Sequence, residues 1–479
     1  MKIKDLIEKI NVLNVHGDLN RNIEDLTFDS RKSGKETAFV AIQGLVQDGH
    51  DFIKSLSSET EVVFHEKELE EYSKTKTYIR LENTRKDMAN IAALLNDFPS
   101  KKMKVFGITG TNGKTSTTYM VKHLLETMGE KVATIGTNGV TLGNESRKLE
   151  HTTPESPELQ KLFKEFVEKR VDSVVMEVSS HAIELFRVDC IDFDYGIFTN
   201  LSIEHLDFHE TMENYYLAKK KLFDRLHKTG IVNVDNSYGK RLYEEERDKC
   251  KSLGRQGDYA ILDLKQVEGG YHFIFQTPKE EMDLTLPTTA LFNVYNTLQA
   301  ISICIEAGYP LKELVQAMET FPGAEGRMET IPNKLGITMM IDFAHSPDAI
   351  KNILTSIQPK GRKIVIFGVT GDRNKEFRLE MGKTVGKYAD YSFLTIDDPK
   401  KDTIDNINLT VEEGLKSVEA SYEREDNREK AIEKAIDYAL PGDALLFLGK
   451  GHERFLKING KKIDFDEREI ISQYLKKKS

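Results

Sequence analysis

The stretch Lys104 to Glu126, KVFGITGTNGKTSTTYMVKHLLE, is a short apolar strand that enters a glycine-broken loop and leaves it as a helix opened by Lys-Thr-Ser. Gly107, Gly110 and Gly113 let the backbone fold round a polyphosphate, so that successive N–H groups and the positive end of the following helix face the anion. Lys114 is placed to bridge β- and γ-phosphates and Thr115 to offer its hydroxyl to Mg²⁺. The strict pattern G-x-x-x-x-G-K-[ST] is not met, because Ile108 stands where its first glycine belongs and Gly107 lies one residue earlier. Context carries the reading: Val105 and Phe106 precede the loop, and Val121, Leu124 and Leu125 line one face of the helix after it. A structural turn closing a strand–helix unit has no need of a lysine followed by two hydroxyls.

A phosphate loop occupies one domain, and 479 residues exceed one ordinary core, so two to four domains are expected. The net charge of −10 argues against non-specific nucleic-acid binding and asks for local basic pockets wherever anions bind. Cys190, Cys250 and Cys304 are too far apart and too few for a disulfide framework or a zinc site, which points to a reducing cytoplasm. The start, MKIKDLIEKINVL, has apolar residues at helical spacing and reads as a helix, not a signal peptide. No apolar run approaches membrane-spanning length, so stable membrane insertion is not expected. A monomer is expected.

Along the chain, residues 1–102 read as a first unit, with a helix, short strands around Asp25–Ser30 and Thr37–Ile42, and a helix near Lys86–Asn96. From Met103 strands and helices alternate. Ser156 reads as an N-cap and Pro157 as the first residue of a helix that buries Leu159, Leu162, Phe163, Phe166 and Val167. The next buried strand delivers Glu177 at its carboxyl end, where open α/β sheets place ligands. A carboxylate after four apolar residues needs a partner, and a structural pair with Arg187 is one possibility. Phe193 to Asn200 reads as a further strand. Gly269-Gly270 is expected to turn a hairpin between DLKQV and YHFIF. FNVYNTLQAISICIEAG is a helix that stops at Gly308. After Gly323 to Arg327, the runs ITMMIDF, KIVIFGVTG, YSFLTID and DALLFLG are buried parallel-strand patterns separated by helices.

The form T-G-T-N-G-K-T-S is narrower than a generic phosphate loop and resembles the Mur ligase family, whose ATP-dependent members add amino acids to a UDP-linked muramic acid precursor of peptidoglycan. The resemblance implies that Gly110, Thr111, Asn112, Gly113, Lys114, Thr115 and Ser116 bind ATP, with Asn293 and Asn296 on the adenine side and Arg327 and Asp342 reaching the nucleotide from the third domain. LTFDSRK followed by FVAIQGLVQDGHDFI resembles the family's UDP-binding domain, which implies that Ser30, Arg31 and His50 bind the UDP-sugar; taken alone, Asp-Ser-Arg is equally a polar turn. Thr152 and Thr153 match the loop that meets the muramoyl group, and in M-E-V-S-S-H Glu177 matches a Mg²⁺ ligand. Ser179 and Arg187 match residues that hold the UDP-sugar peptide, although a nearby position often polar in the family is Leu185 here. His205 matches a second Mg²⁺ ligand. Lys219 matches a lysine carried as an Nζ-carbamate, while Lys220 and Lys221 beside it leave open a solvated basic helix face.

In the last third of the chain, Gly371-Asp372-Arg373-Asn374, Asp397-Asp398-Pro399-Lys400 and Gly449-Lys450-Gly451-His452-Glu453 resemble the branch that adds the third amino acid. The implied activity joins a diamino acid to UDP-N-acetylmuramoyl-L-alanyl-D-glutamate through an acyl phosphate, with ATP, two Mg²⁺ ions and a carbamylated Lys219. Asp397, Asp398, Lys400, Gly449 and Glu453 would bind the amino acid. Asp398 suits L-lysine and Lys400 suits meso-diaminopimelate, which leaves the two open. Three α/β domains follow from the same resemblance: a small mixed N-terminal domain over 1–102 for the UDP-sugar, a central P-loop ATPase-like domain over 103–330, and a Rossmann-like C-terminal domain over 331–479 for the amino acid. A non-catalytic paralogue binding nucleotide and UDP-sugar, or another amide ligase of the family, are the competing readings. Lys114, Thr115, Glu177, His205 and Lys219 occurring together speak against the first.

Overall fold

A computed structural model describes residues 1–44, 47–458 and 461–478. Leu45 and Val46 of the FVAIQGLVQDGHDFI stretch lie outside the described residues. The chain divides into two compact units, one made of Met1–Lys114, Val121–Leu253 and Gln299–Ala317 and the other of Thr115–Met120, Gly254–Leu298 and Met318–Ser479.

In the first unit, an N-terminal sheet has the order Asn14–His16, Thr77–Arg80, Val62–His65, Thr37–Val40, Asp25–Thr27. Its first pair is antiparallel and the rest are parallel. Val40, Phe64, Ile79 and, from helix Thr84–Leu95, Ile91 and Ala92 share its core. The opening helix is shorter than its spacing predicts: it covers Ile3–Ile7 only, and by Asn14–His16 the pattern has become a strand whose outer residues are exposed on either side of Val15. Val62–His65 and Thr77–Arg80 are strands additional to those expected from the sequence.

The same unit holds a central parallel sheet in the order Cys250–Gly254, Leu226–Asn233, Phe193–Phe198, Lys104–Thr109, Ser173–Glu177, Val132–Gly136. Strands Lys104–Thr109, Ser173–Glu177 and Val132–Gly136 are buried along almost their whole length, as a sheet covered on both faces requires. Because these strands run parallel, Gly110, Val178 and Thr199 emerge at one edge. Helix Ser156–Glu168 begins one residue earlier than its sequence predicts: Glu155 occupies the cap position, Ser156 is already helical, and no side chain caps it.

In the second unit, Tyr259–Val267, Gly270–Gln276 and Glu281–Leu286 form an antiparallel meander. Gly270 is itself paired with Val267, so the turn falls on Glu268 and Gly269, where φ is 83°. The C-terminal sheet has the order Glu329–Ile331, Thr338–Asp342, Ala444–Leu448, Lys363–Phe367, Tyr391–Leu394, Tyr422–Arg424. Only its first pair is antiparallel among the described residues. The α/β architecture is thus that expected of the chain. Among the described residues no helix is long and apolar enough to cross a membrane.

Candidate functional site

Strand Lys104–Thr109 ends in Gly110 with φ of 145°, and helix Lys114–Thr127 starts after Gly113 with φ of 85°. Both conformations favour glycine. A Cβ on Gly110 would also collide with the Thr199 hydroxyl. The loop between them is braced from the end of strand Phe193–Phe198. Thr111 N donates to Asn200 O at 2.9 Å, Asn112 N to Asn200 Oδ1 at 3.0 Å, and Thr199 Oγ1 to Asn112 O at 2.6 Å. Thr111 and Thr115 are buried, whereas Asn112, Gly113, Lys114 and Ser116 are half-buried at the positive end of the helix. Lys114 Nζ curls over the loop onto Gly110 O and Thr111 O, at 2.9 and 2.8 Å.

Helix Met212–Asp224 aims Lys219 at the same loop. Its Nζ donates to Gly110 O at 2.9 Å and lies 4.7 Å from the centroid of the Tyr215 ring, in a side chain that is 1% exposed. Burial, and then the charge of Lys114, push the Lys219 pKa well below the ordinary lysine value. Lys220 pairs instead with Glu245 and Glu246, and Lys221 with Glu184, so the solvated helix face belongs to them and not to Lys219. His205 sits at φ of 56° before the short helix Leu206–His209, its ring edge-on to those of His181 and Tyr215. Burial lowers its pKa to about 4.

Glu177 ends the strand beside the cradle, and the following Val178 N donates to Ile108 O at 2.8 Å. Its carboxylate is 1% exposed and accepts from Thr137 N at 2.8 Å and Thr137 Oγ1 at 3.0 Å. Arg187 does not pair with it. Arg187 Nη2 lies 2.9 Å from Glu155 Oε1, and Arg85 Nη1, from the N-terminal sheet's helix, lies 3.2 Å from Glu155 Oε2. Arg187 also donates to Thr153 O at 3.0 Å, while Thr153 Oγ1 donates to Glu177 O at 2.9 Å and accepts from Ser179 N at 3.2 Å. Thr152 Oγ1 lies 3.2 Å from Thr137 Oγ1. Glu177, Thr152, Thr153, Ser179 and Arg187 therefore form one connected group, to which Thr137, Glu155 and Arg85 are additions that no local motif announced.

In the N-terminal sheet's loops, Arg31 is exposed and grips Asp29 through two bonds of 2.8 and 2.9 Å, which hold the Asp29 pKa at about 2. Ser30, half-buried, lies between them in sequence. His50 differs in kind: Nδ1 meets Asp48 Oδ1 at 2.6 Å and Nε2 accepts from Glu66 N at 3.1 Å, so both ring nitrogens are engaged inside the protein.

Within the second unit, Arg327 Nη2 donates to Thr115 Oγ1 at 2.9 Å, and its guanidinium lies 4.7 Å from the Phe343 ring centroid. Asp342 accepts from Met328 N and Ala344 N, both at 2.7 Å, and burial raises its pKa. Asn296 Nδ2 donates to Asn293 Oδ1 at 3.3 Å on helix Leu291–Glu306. Asp397 and Asp398 follow strand Tyr391–Leu394, and Gly449, at φ of 105°, follows Ala444–Leu448 and donates to Asp342 O at 3.1 Å. Lys450, not expected to matter beyond its motif, faces Asp397, Asp398 and Glu453. Burial pushes Asp397 upward, but Lys450 and Arg428 outweigh it and hold its pKa below the ordinary value. Lys400, at φ of 55°, places Nζ 3.7 Å from Asp398 Oδ2.

Residues 108–304 match the Mur ligase middle domain, and residues 326–451 match the Mur ligase glutamate ligase domain. The chain is 38% identical over 484 residues to a UDP-N-acetylmuramoyl-L-alanyl-D-glutamate–2,6-diaminopimelate ligase of Clostridioides difficile (strain 630), covering 100% of each chain. It is 39% identical over 486 residues to the ligase of the same name from Alkaliphilus oremlandii, covering 100% of this chain and 99% of that one. A solved structure bearing that ligase's name shares the fold, with a TM-score of 0.69 at 24% identity over 100% of this chain and 99% of the other. Two family domains matched in order, and relatives this similar from end to end, make the chain a member of the Mur ligase family.

Proposed function

We propose that this ligase joins 2,6-diaminopimelate to UDP-N-acetylmuramoyl-L-alanyl-D-glutamate, converting ATP to ADP and phosphate. The observation that carries the reading is the convergence of Lys114 and Lys219 on the Gly110 carbonyl, at the sheet edge where Glu177 also ends. Phosphoryl transfer to a carboxylate brings two anions together, for which Lys114 supplies a cation while Lys219 and Glu177 stand by as metal ligands. The amino acid follows from the names of the relatives and from Lys400, a cation suited to a distal carboxylate.

The cradle residues Gly110, Thr111, Asn112, Gly113, Lys114, Thr115 and Ser116 receive the triphosphate, Lys114 placing its charge against the transferring phosphoryl group. Asn293, Asn296, Arg327 and Asp342 are assigned to the nucleotide by the family resemblance. Ser30, Arg31, His50, Thr152, Thr153, Ser179 and Arg187 hold the UDP-sugar peptide. A substrate carboxylate oxygen attacks the γ-phosphorus and ADP leaves. The amine then attacks the acyl carbon of the acyl phosphate, giving the amide, inorganic phosphate and a proton. Asp397, Asp398, Lys400, Gly449 and Glu453 hold the amino acid that carries that amine. The assignment divides the chain at 1–102, 103–330 and 331–479 into UDP-sugar, ATP and amino-acid domains, acting in a monomer with no nucleic-acid partner.

Mg²⁺, when bound, offsets charge between triphosphate and carboxylate. Hard oxygen donors suit it, and the Thr115 hydroxyl and Glu177 carboxylate are such donors. His205 and Lys219 would hold a second ion, and for Lys219 this requires the carbamate: the neutral Nζ adds to CO₂, releases one proton and gains a carboxylate. Among the described residues no group of three or more His, Cys, Asp or Glu is placed to hold a metal ion. Phosphate release with the UDP-muramoyl dipeptide, scanned over amino acids, tests the assignment: diaminopimelate should give the highest kcat/KM, and stimulation by no amino acid would refute it.

A further inference from the structure

The loops of the second unit assigned to the amino acid are built round a buried cation, Lys450, to which the proposed reaction gives no role. Lys450 is 0% exposed, and its ammonium lies 2.6 Å from Glu453, 3.4 Å from Asp397 and 3.6 Å from Asp398. Asp397 and Asp398 come from one strand end and Glu453 from another, so the lysine gathers two loops. Three carboxylates exceed what one ammonium neutralises. Lys400 meets part of the excess from the rim at 3.7 Å from Asp398. Arg428 lies behind the same two strand ends, donating to Ile396 O at 3.2 Å and Leu448 O at 2.8 Å, but its own charge is answered by Glu467 at 2.7 Å. Arg428 fixes the roots of the loops and helps to keep Asp397 ionised from behind, and as Glu467 matches its charge, the three carboxylates still outnumber Lys450 and Lys400.

We propose that Lys450 is the positioning residue of the amino-acid pocket: its buried ammonium holds Asp397, Asp398 and Glu453 in one cradle whose unneutralised charge receives an ammonium group of the incoming amino acid. This rests on the assignment of these loops to the amino acid. A lysine of purely structural value would stabilise the fold without being coupled to one substrate. Lys450 instead touches three of the side chains assigned to that substrate and, among the described residues, none assigned to ATP or the UDP-sugar.

The test is a full set of KM values for Lys450→Met and Lys450→Arg beside the parent, with folding checked by thermal melting. Lys450→Met should raise the KM for diaminopimelate roughly tenfold or more, as misplacement of orienting groups does, and leave the KM values for ATP and UDP-muramoyl dipeptide within about twofold. Lys450→Arg, which keeps the charge, should recover part of the loss. Where Lys450→Met does not fold, the comparison passes to Lys450→Met/Asp398→Asn against Asp398→Asn alone, and the same rise is expected. An unchanged diaminopimelate KM, or equal rises for all three substrates, would overturn the positioning role. Failure of the parent to ligate any amino acid would instead overturn the proposed function.

Discussion

Lys114 and Lys219 share one acceptor: the Gly110 carbonyl oxygen takes a hydrogen bond from each Nζ, at 2.9 Å in both cases. Two ammonium groups this close, one of them fully buried, are not both held as cations without cost. The neutral form falls to Lys219, and a neutral buried amine is what reaction with CO₂ requires.

Lys219→Ala should therefore abolish ligation, and short carboxylates added to the buffer should restore part of it by supplying the missing anion. Lys220→Ala, which removes a partner of Glu245 and Glu246, should leave kcat within about twofold. Intact-protein mass in CO₂-equilibrated buffer should show the added carbamate. Fast ligation by protein whose Lys219 is unmodified would refute its role as an anion.

Acid should unfold the protein partly through its histidines. His209 is 4% exposed, bonded to Ser180 Oγ at 2.8 Å and stacked on Tyr215, and burial lowers its pKa from 6.5 to about 4. Between those values the unfolded chain binds more protons than the folded one, so stability falls as pH drops through that window, by roughly 3 kcal/mol at its acid end. Denaturation midpoints measured at pH 7 and 4.5 should differ less in His209→Gln than in the parent. Equal differences would show that His209 is not protonated on unfolding.

Glu155 pairs with both Arg85 and Arg187, and both guanidinium groups are largely buried. Glu155→Gln leaves two buried cations facing each other, and removal of one partner from such a group costs about 3 kcal/mol or more. Urea unfolding should show that loss. A change below about 1 kcal/mol would mean that solvent or other groups already answer these charges.

Lys400→Ala should lower the ratio of kcat/KM for diaminopimelate over L-lysine by roughly fivefold, the scale of one partly exposed ion pair. An unchanged ratio would show that Lys400 serves Asp398 alone.

The phosphate cradle was legible because its parts are contiguous, and so were the buried parallel strands on which it stands. Lys219 could be singled out from Lys220 and Lys221 only by resemblance, since a run of three lysines carries no direction until helix Met212–Asp224 is packed. Arg85 and Glu155, or Lys450 and Asp397, meet across long stretches of chain, and such pairs leave no local pattern. His50 is assigned to the UDP-sugar by resemblance; its bond to Glu66 N, 16 residues away, left no local pattern, whereas Asp48 stands beside it in the same turn.

The most direct measurement is the stoichiometry of product formation by the purified chain with ATP, Mg²⁺, UDP-N-acetylmuramoyl-L-alanyl-D-glutamate and diaminopimelate. One UDP-linked tripeptide should appear for each phosphate released, with no turnover when any component is omitted and a loss exceeding ~100-fold in Lys114→Ala. Phosphate release without tripeptide, or ligation that survives Lys114→Ala within a few-fold, would contradict the account.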